Sequence, residues 1–278
     1  MHMLRIGYHT SAAGSLDLAF DRAAAMGATA MQIFVSNPRG WKVELPAQGI
    51  IGGFARKGHR YDIEAVCHMP YLPNLASADP EKRMKSVSSL AANARICDLL
   101  GIRYLIAHLG SHLGRGAEEG IRNVIGALDE LSDGTGKAIV LLENQAGNTN
   151  SVGSRLEDLA RIYEESSLSR AGRLGFCLDT CHLFAAGYDI RREKILDTIG
   201  DMLDFGRVHV LHVNDAKFGL GSGRDRHDNI GQGFIGLDAF AALLNYNGIR
   251  DKILILETPW NPELADGEEM EMLRRLAR

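Results

Sequence analysis

Short apolar and β-branched runs recur along the chain, separated by longer amphipathic stretches. The short runs occupy residues 4–9 (LRIGYH), 30–35 (AMQIFV), 64–69 (EAVCHM), 104–109 (YLIAHL), 138–143 (AIVLLE), 175–180 (GFCLDT), 208–215 (VHVLHVND) and 252–257 (KILILE). Their length and composition predict strands. The stretches between them, such as SLDLAFDRAAAMG, ADPEKRMKSVSSLAANARICDLLG, EEGIRNVIGALDELS and GLDAFAALLNYNG, predict helices, with Gly27, Gly101 and Gly248 read as helix stops.

Strict alternation of strand and helix implies a parallel sheet. Eight such units in 278 residues are expected to form one α/β domain over 1–278, a closed (β/α)8 TIM barrel rather than an open doubly wound sheet. No G-x-G-x-x-G turn follows the first run, so nothing argues for a dinucleotide site.

Such barrels place their chemistry at the C-terminal ends of the strands, which gives the last residues of each run special weight. His9, His68, His108, Glu143, Asp179, His212 and Glu257 end seven of the eight. A lone histidine there is ordinarily a hydrogen-bonded core residue. Carboxylates are harder to explain, because Asp and Glu are depleted in strands and costly to bury unpaired, and Glu143 follows AIVLL while Glu257 follows KILIL. A cation at the mouth where all eight strand ends converge would compensate them. His9 reads equally well as a residue behind the ligands.

Three more donors lie outside the strands. In GRDRHDN, Asp225 and His227 are two apart, so an extended segment projects both to one side and turns Arg226 away. Arg226 is then either a solvated charge or a phosphate contact. His182, a helical turn after Asp179 in CLDTCH, can complete a triad with them. Histidine and carboxylate donors without cysteine suit zinc, with manganese or iron as alternatives. His68, His108, Glu143, Asp179, His182, His212, Asp225, His227 and Glu257 are too many for one four-coordinate ion; three ions, two sharing a carboxylate, would use them economically. His209, expected on the strand face opposite His212, and His2, His59 and His112 are given no role.

Composition narrows the setting. No run of about 18 apolar residues offers a membrane span, and MHMLRIGYHTSAAGS lacks the basic region and cleavage site of a signal peptide, so a cytoplasmic location is expected. Cys67, Cys97, Cys177 and Cys181 are accordingly expected as buried thiols. A formal net charge of −4 offers no bulk attraction for nucleic acid, but three divalent ions would reverse its sign.

The chain resembles the endonuclease IV family of apurinic/apyrimidinic endonucleases. The stretches that carry the resemblance are GYHTSAAGSL, HMPYLPNLAS, HLGSHLG, LLENQAGN, CLDTCHLFAAGYD, LHVNDAK, DRHDNIGQG and LILET, in order from His9 to Glu257. The resemblance implies a xylose-isomerase-like barrel with three zinc ions, manganese being able to take one site. His68, His108 and bridging Glu143 would hold the first, Glu143, Asp179, His212 and Glu257 the second, and His182, Asp225 and His227 the third. It further implies hydrolysis of the phosphodiester 5′ to an abasic sugar in duplex DNA, leaving a 3′-hydroxyl and a 5′-deoxyribose phosphate, with Glu143 also able to orient or deprotonate the attacking water. Arg39 and Trp41 in SNPRGW match a lesion-penetrating loop, with Trp41 expected to brace it from beneath, and Tyr71 matches a residue inserted near the lesion; a monomer is expected. Gly40 and Asp228 depart from the family pattern, which carries a longer polar residue and, in some relatives, a histidine there. The main rival is a sugar isomerase or epimerase of the same barrel class, which needs only one or two metals and leaves the triad of His182, Asp225 and His227 unexplained. A damage-binding module without catalysis would be expected to lack the bridging Glu143.

Overall fold

The structure is a computed structural model that describes residues 4–132, 136–265 and 267–277. His2 lies outside the described residues. The strands are β1 (Ile6–Tyr8), β2 (Ala30–Ile33), β3 (Glu64–His68), β4 (Tyr104–Ala107), β5 (Ile139–Glu143), β6 (Leu174–Asp179), β7 (Val208–His212), β8 (Asp215–Ala216), β9 (His227–Asp228) and β10 (Ile253–Leu256). Helices α1 (Leu18–Ala25), α2 (Gln48–Tyr61), α3 (Pro80–Leu100), α4 (Ala117–Ser132), α5 (Leu156–Glu165), α6 (Ser167–Arg170), α7 (Thr180–Ala185), α8 (Glu193–Leu203), α9 (Leu237–Asn245) and α10 (Glu268–Leu276) run between and after them.

All but β8 and β9 form one eight-stranded sheet in the order β1-β10-β7-β6-β5-β4-β3-β2, each adjacent pair parallel. Its two ends meet: His9 bridges Gln32, and the Thr10 N–H donates to the Gln32 carbonyl at 2.7 Å. The (β/α)8 barrel read from the alternation is therefore closed. β8 and β9 form a small antiparallel ladder on the loop that leaves β7. No helix among the described residues is long and apolar enough to cross a membrane.

Local chemistry sets the element ends. Asp79 accepts hydrogen bonds from the amides of Glu81 and Lys82 at the start of α3, with Pro80 in the first turn, and Gly101 ends that helix at φ 71°. Gly27 turns the chain after α1 at φ 73°. Gly248 is not a helix stop: α9 ends at Asn245, and a Cβ on Gly248 would meet the Phe205 ring at 2.5 Å, so close packing requires the glycine.

The period of two along each strand fixes what enters the barrel. Val66, Ile106, Leu141, Cys177, Val210 and Ile255 pack together in its interior. Two residues further along, toward the C-terminal mouth, stand His68, His108, Glu143, Asp179, His212 and Glu257. The candidate donors are thus the top layer of the same inward-facing stack. One expectation fails here. The β6–β7 register shifts so that Phe176 faces Val208 while Cys177 faces Val210, leaving His209 as an extra residue in β7. The bulge breaks the alternation, and His209 stacks on Tyr104, a member of the interior group, at 4.9 Å. His209 lies inside the barrel, beneath the donor layer.

Candidate metal centre

Glu143 ends β5 fully buried, and its two oxygens face different partners. Oε2 lies 3.1 Å from His68 Nε2 and 3.1 Å from His108 Nε2, while Oε1 lies 3.1 Å from His212 Nδ1. His212 Nδ1 is also 3.3 Å from Glu257 Oε2 and 3.8 Å from Asp179 Oδ2. Asp179 ends β6 and caps α7, its Oδ1 accepting the His182 amide at 2.7 Å. That cap seats His182 in the first turn, with Nε2 3.2 Å from Asp225 Oδ1. His227 Nε2 lies 3.5 Å from the same oxygen and 3.5 Å from Asp179 Oδ2.

Three donor groups result: His68, His108 and Glu143; Glu143, Asp179, His212 and Glu257; and His182, Asp225 and His227. All nine sequence candidates fall into them. Donors about 2.0–2.1 Å from a tetrahedral ion stand roughly 3.3–3.4 Å apart, which matches most of these separations. The side-chain environment also fits a cation. Among the described residues, every ion-pair partner of Glu143, Asp179, Asp225 and Glu257 is a histidine, so no Lys or Arg compensates these carboxylates. His182 Nε2 and His227 Nε2 are buried without a hydrogen bond. Aimed at carboxylate oxygens yet unbonded, they are placed as metal donors would be.

Ring nitrogens on the far side are held as well. Nδ1 of His68, His182 and His227 reaches the carbonyls of Met69, Asn144 and Glu257 at 2.7, 2.9 and 3.1 Å. His212 Nε2 reaches Gln32 Oε1 at 2.8 Å, and the Gln145 amide lies 2.8 Å from His108 Nδ1. The acceptors facing His68, His182, His212 and His227 select the tautomer that leaves the inner nitrogen free for a metal.

Electrostatics follows from the packing of like groups. Burial pushes the Glu143 carboxyl up, but His108, His212 and His68 outweigh it and hold it well below the usual carboxylate range. Glu257 behaves alike under His212, His9 and His68. Burial disfavours the charged form of His182, yet Asp179, Asp225 and Glu143 raise it to about 10. Without metal, protons on imidazole take the place of cations.

The remaining expectations divide. His9 lies 3.6 Å from Glu257 Oε1 and belongs to none of the donor groups. A cleft of 740 Å³ opens over the donors and is lined by His108, His182, Asp225, His227, Tyr71 and Leu72, among others. Tyr71 is 62% exposed and packs edge-on against Phe34 at 5.4 Å. Arg39 and Trp41 do not line this cleft; Asn37 and Pro38 of their loop line an adjoining groove of 630 Å³ that shares His9 and Phe34 with it. Trp41 is 42% exposed. Arg226 is exposed, and its guanidinium donates to the Asp225 carbonyl at 2.6 Å.

Sequence reasoning missed Leu72 on the cleft wall and three amides behind the donors, Gln32, Asn144 and Asn214. Gln32 joins His212 to Glu257; Asn144 takes the Asp179 amide at 2.7 Å; Asn214 donates to Asp179 Oδ2 at 2.7 Å and takes the Glu257 amide at 2.8 Å. The signal of the three amides was present: one inside AMQIFV, and one directly after each of LLE and LHV.

A closed parallel barrel whose top interior layer collects imidazoles and uncompensated carboxylates is a metal-site TIM barrel of the xylose isomerase-like class. Residues 20–276 match the family described as Xylose isomerase-like TIM barrel. The probable endonuclease 4 of Methanoculleus marisnigri is 44% identical over 282 residues, covering 99% of each chain. The solved endonuclease IV of Thermus thermophilus superposes with a TM-score of 0.83 at 35% identity, covering 98% of this chain and 97% of that one. A D-tagatose 3-epimerase-like protein superposes at 0.75 with 20% identity over 98% of this chain and 97% of its own, a likeness of fold alone. The chain belongs to the endonuclease IV family.

Proposed function

We propose that this protein is a zinc-dependent DNA-repair endonuclease that hydrolyses the phosphodiester 5′ to an abasic site in duplex DNA, leaving a 3′-hydroxyl and a 5′-deoxyribose phosphate. The observation that carries the reading is the set of three donor groups, two of them joined through Glu143, each with N and O atoms at metal-ligand spacing. Three zinc ions would occupy them, manganese being able to take one. Bound there, zinc would supply Lewis acidity for activating water and for charge developing on phosphate oxygens. The third group, His182 with Asp225 and His227, favours this reading over a sugar isomerase or epimerase needing one or two metals.

Glu143 offers one oxygen to each of two groups, so it fixes their separation and stands where the proton of an attacking water would be taken. Tyr71 keeps its proton, because burial and the nearby Glu257 and Glu143 push its phenol up to about 12. Its protonated hydroxyl can donate to a phosphate or sugar oxygen while its ring meets the lesion. Arg39, Trp41 and Arg226 are assigned to DNA contact around the mouth. The protein would act as a monomeric single domain in the cytoplasm. Metal analysis of protein purified without added ions tests the reading, together with cleavage of an abasic duplex without added magnesium. About three zinc per chain with cutting is expected; about one metal with strict dependence on added Mg²⁺ would overturn it.

A further inference from the structure

Besides the three groups above, a fourth trio brings donor atoms together: Asp179, Cys181 and His227, with Cys181 Sγ, a ring nitrogen of His227 and an Asp179 oxygen all within 4.8 Å of one another. It shares His227 with the third group and Asp179 with the second, but its sulfur belongs to neither. We propose that this trio is an alternative, sulfur-containing seat at the third cation position, which takes thiophilic divalent ions such as cadmium in place of zinc. The inference rests on the metal-centre reading.

Three observations place the sulfur there. Cys181 is the second residue of α7, fully buried, beside the cap that seats His182. Its thiol donates to the Arg226 carbonyl at 3.5 Å, in the loop between Asp225 and His227. That carbonyl also accepts the Lys217 amide at 3.0 Å, so turning the thiol toward an ion orphans no buried acceptor. Loop and helix are tied together, the Gly221 and Gly223 amides donating to the Phe184 and Ala185 carbonyls at 3.0 Å each, which keeps Cys181 and His227 in register. His227 Nε2 has no hydrogen bond of its own to give up.

Hard and borderline ions are served by the oxygen and nitrogen atoms of His182, Asp225 and His227. A softer ion gains more from thiolate than from a half-exposed carboxylate, and moves toward Cys181 and Asp179. Coordination breaks the S–H bond, forms a metal–sulfur bond and passes the proton to solvent, with no change of oxidation state. Cys177, two residues before Asp179 in the barrel interior, is outside the trio and provides the control.

Cadmium chloride added to the zinc-loaded full chain tests this, read by the ultraviolet sulfur-to-cadmium charge-transfer band and by zinc released to a chromophoric chelator. The expected result is a saturating band with about one zinc displaced per chain. Cys181→Ser should abolish the band, keep the zinc complement, and weaken cadmium binding at least about tenfold; Cys177→Ser should retain the band. Cadmium magnetic resonance of the unsubstituted protein, where a sulfur donor moves the line downfield, gives a reading independent of any variant. No band on zinc-loaded protein, or a band that persists in Cys181→Ser, overturns the inference. A zinc count of zero before cadmium is added strikes the metal-centre reading instead.

Discussion

Gln32 accepts the far ring N–H of His212 at 2.8 Å, and the same amide donates to Glu257 Oε1 at 2.6 Å. One uncharged side chain thereby orients two candidate ligands of one group, leaving His212 Nδ1 and Glu257 Oε2 facing each other at 3.3 Å. Gln32→Ala removes the contact that orients both partners and leaves the buried far nitrogen of His212 unsatisfied. Zinc affinity, measured by chelator competition, should fall about ten- to hundredfold, the range for lost contacts behind metal ligands. An unchanged affinity would show that Gln32 merely fills space.

Glu143 meets four imidazoles with two oxygens, those of His68, His108, His212 and His182, and no other candidate donor belongs to two of the zinc groups. Glu143→Gln keeps the shape but removes the charge between the groups. Turnover on an abasic duplex should drop at least about a hundredfold, the scale of lost proton transfer or electrostatic assistance. DNA affinity, read by fluorescence anisotropy, should fall much less. Turnover within a few-fold of the parent would remove Glu143 from the centre of the chemistry.

The barrel and its charged layer were legible because carboxylates such as Glu143 and Glu257 are out of place at the ends of apolar strands. Three strand ends, Glu143, Asp179 and Glu257, declared themselves that way and four more carried histidine; the second carried neither. Its contribution to the same region is Gln32, whose amide neither titrates nor violates burial once paired. Asn144 and Asn214 escaped for the same reason, since their value lies in the backbone groups they meet and not in charge. His209 was misplaced because a bulge inserts one residue without any mark in VHVLH, and every inference from strict alternation then inverts on one side of it.

His182 gives the centre a definite pH dependence. Burial lowers its affinity for a proton, but Asp179, Asp225 and Glu143 raise its pKa from 6.5 to about 10 in the metal-free fold. A raised folded-state value stabilises the metal-free protein fully below pH 6.5, and that contribution is lost as pH climbs toward 10. Metal-loaded protein has already given up the proton and escapes the loss. The gap in Tm between loaded and stripped protein should therefore widen from pH 7 to 10, and loading at pH 7 should release protons in a pH-stat. A gap constant across this window would contradict the assignment.

Arg39 offers the sharpest test of DNA grip separable from metal chemistry. Its side chain is exposed on the loop after β2, its amide is held by Asn37 Oδ1 at 2.9 Å, and it lines neither the donor groups nor the cleft above them. A guanidinium there can enter a groove or occupy the gap left by a missing base. Gly40 contributes no side chain to share that task, and Trp41 beside it is 42% exposed. Arg39→Ala should lower kcat/KM for an abasic duplex about ten- to hundredfold, the worth of one or two charge-assisted contacts. Zinc content should not change, because no donor contacts the loop through Arg39. Tyr71→Ala should act in the same direction, since it removes an aromatic that lines the cleft from the neighbouring loop after β3. Full kcat/KM in Arg39→Ala would make the loop a bystander, whereas a loss accompanied by missing zinc would mean that the loop supports the barrel mouth and does not read the lesion.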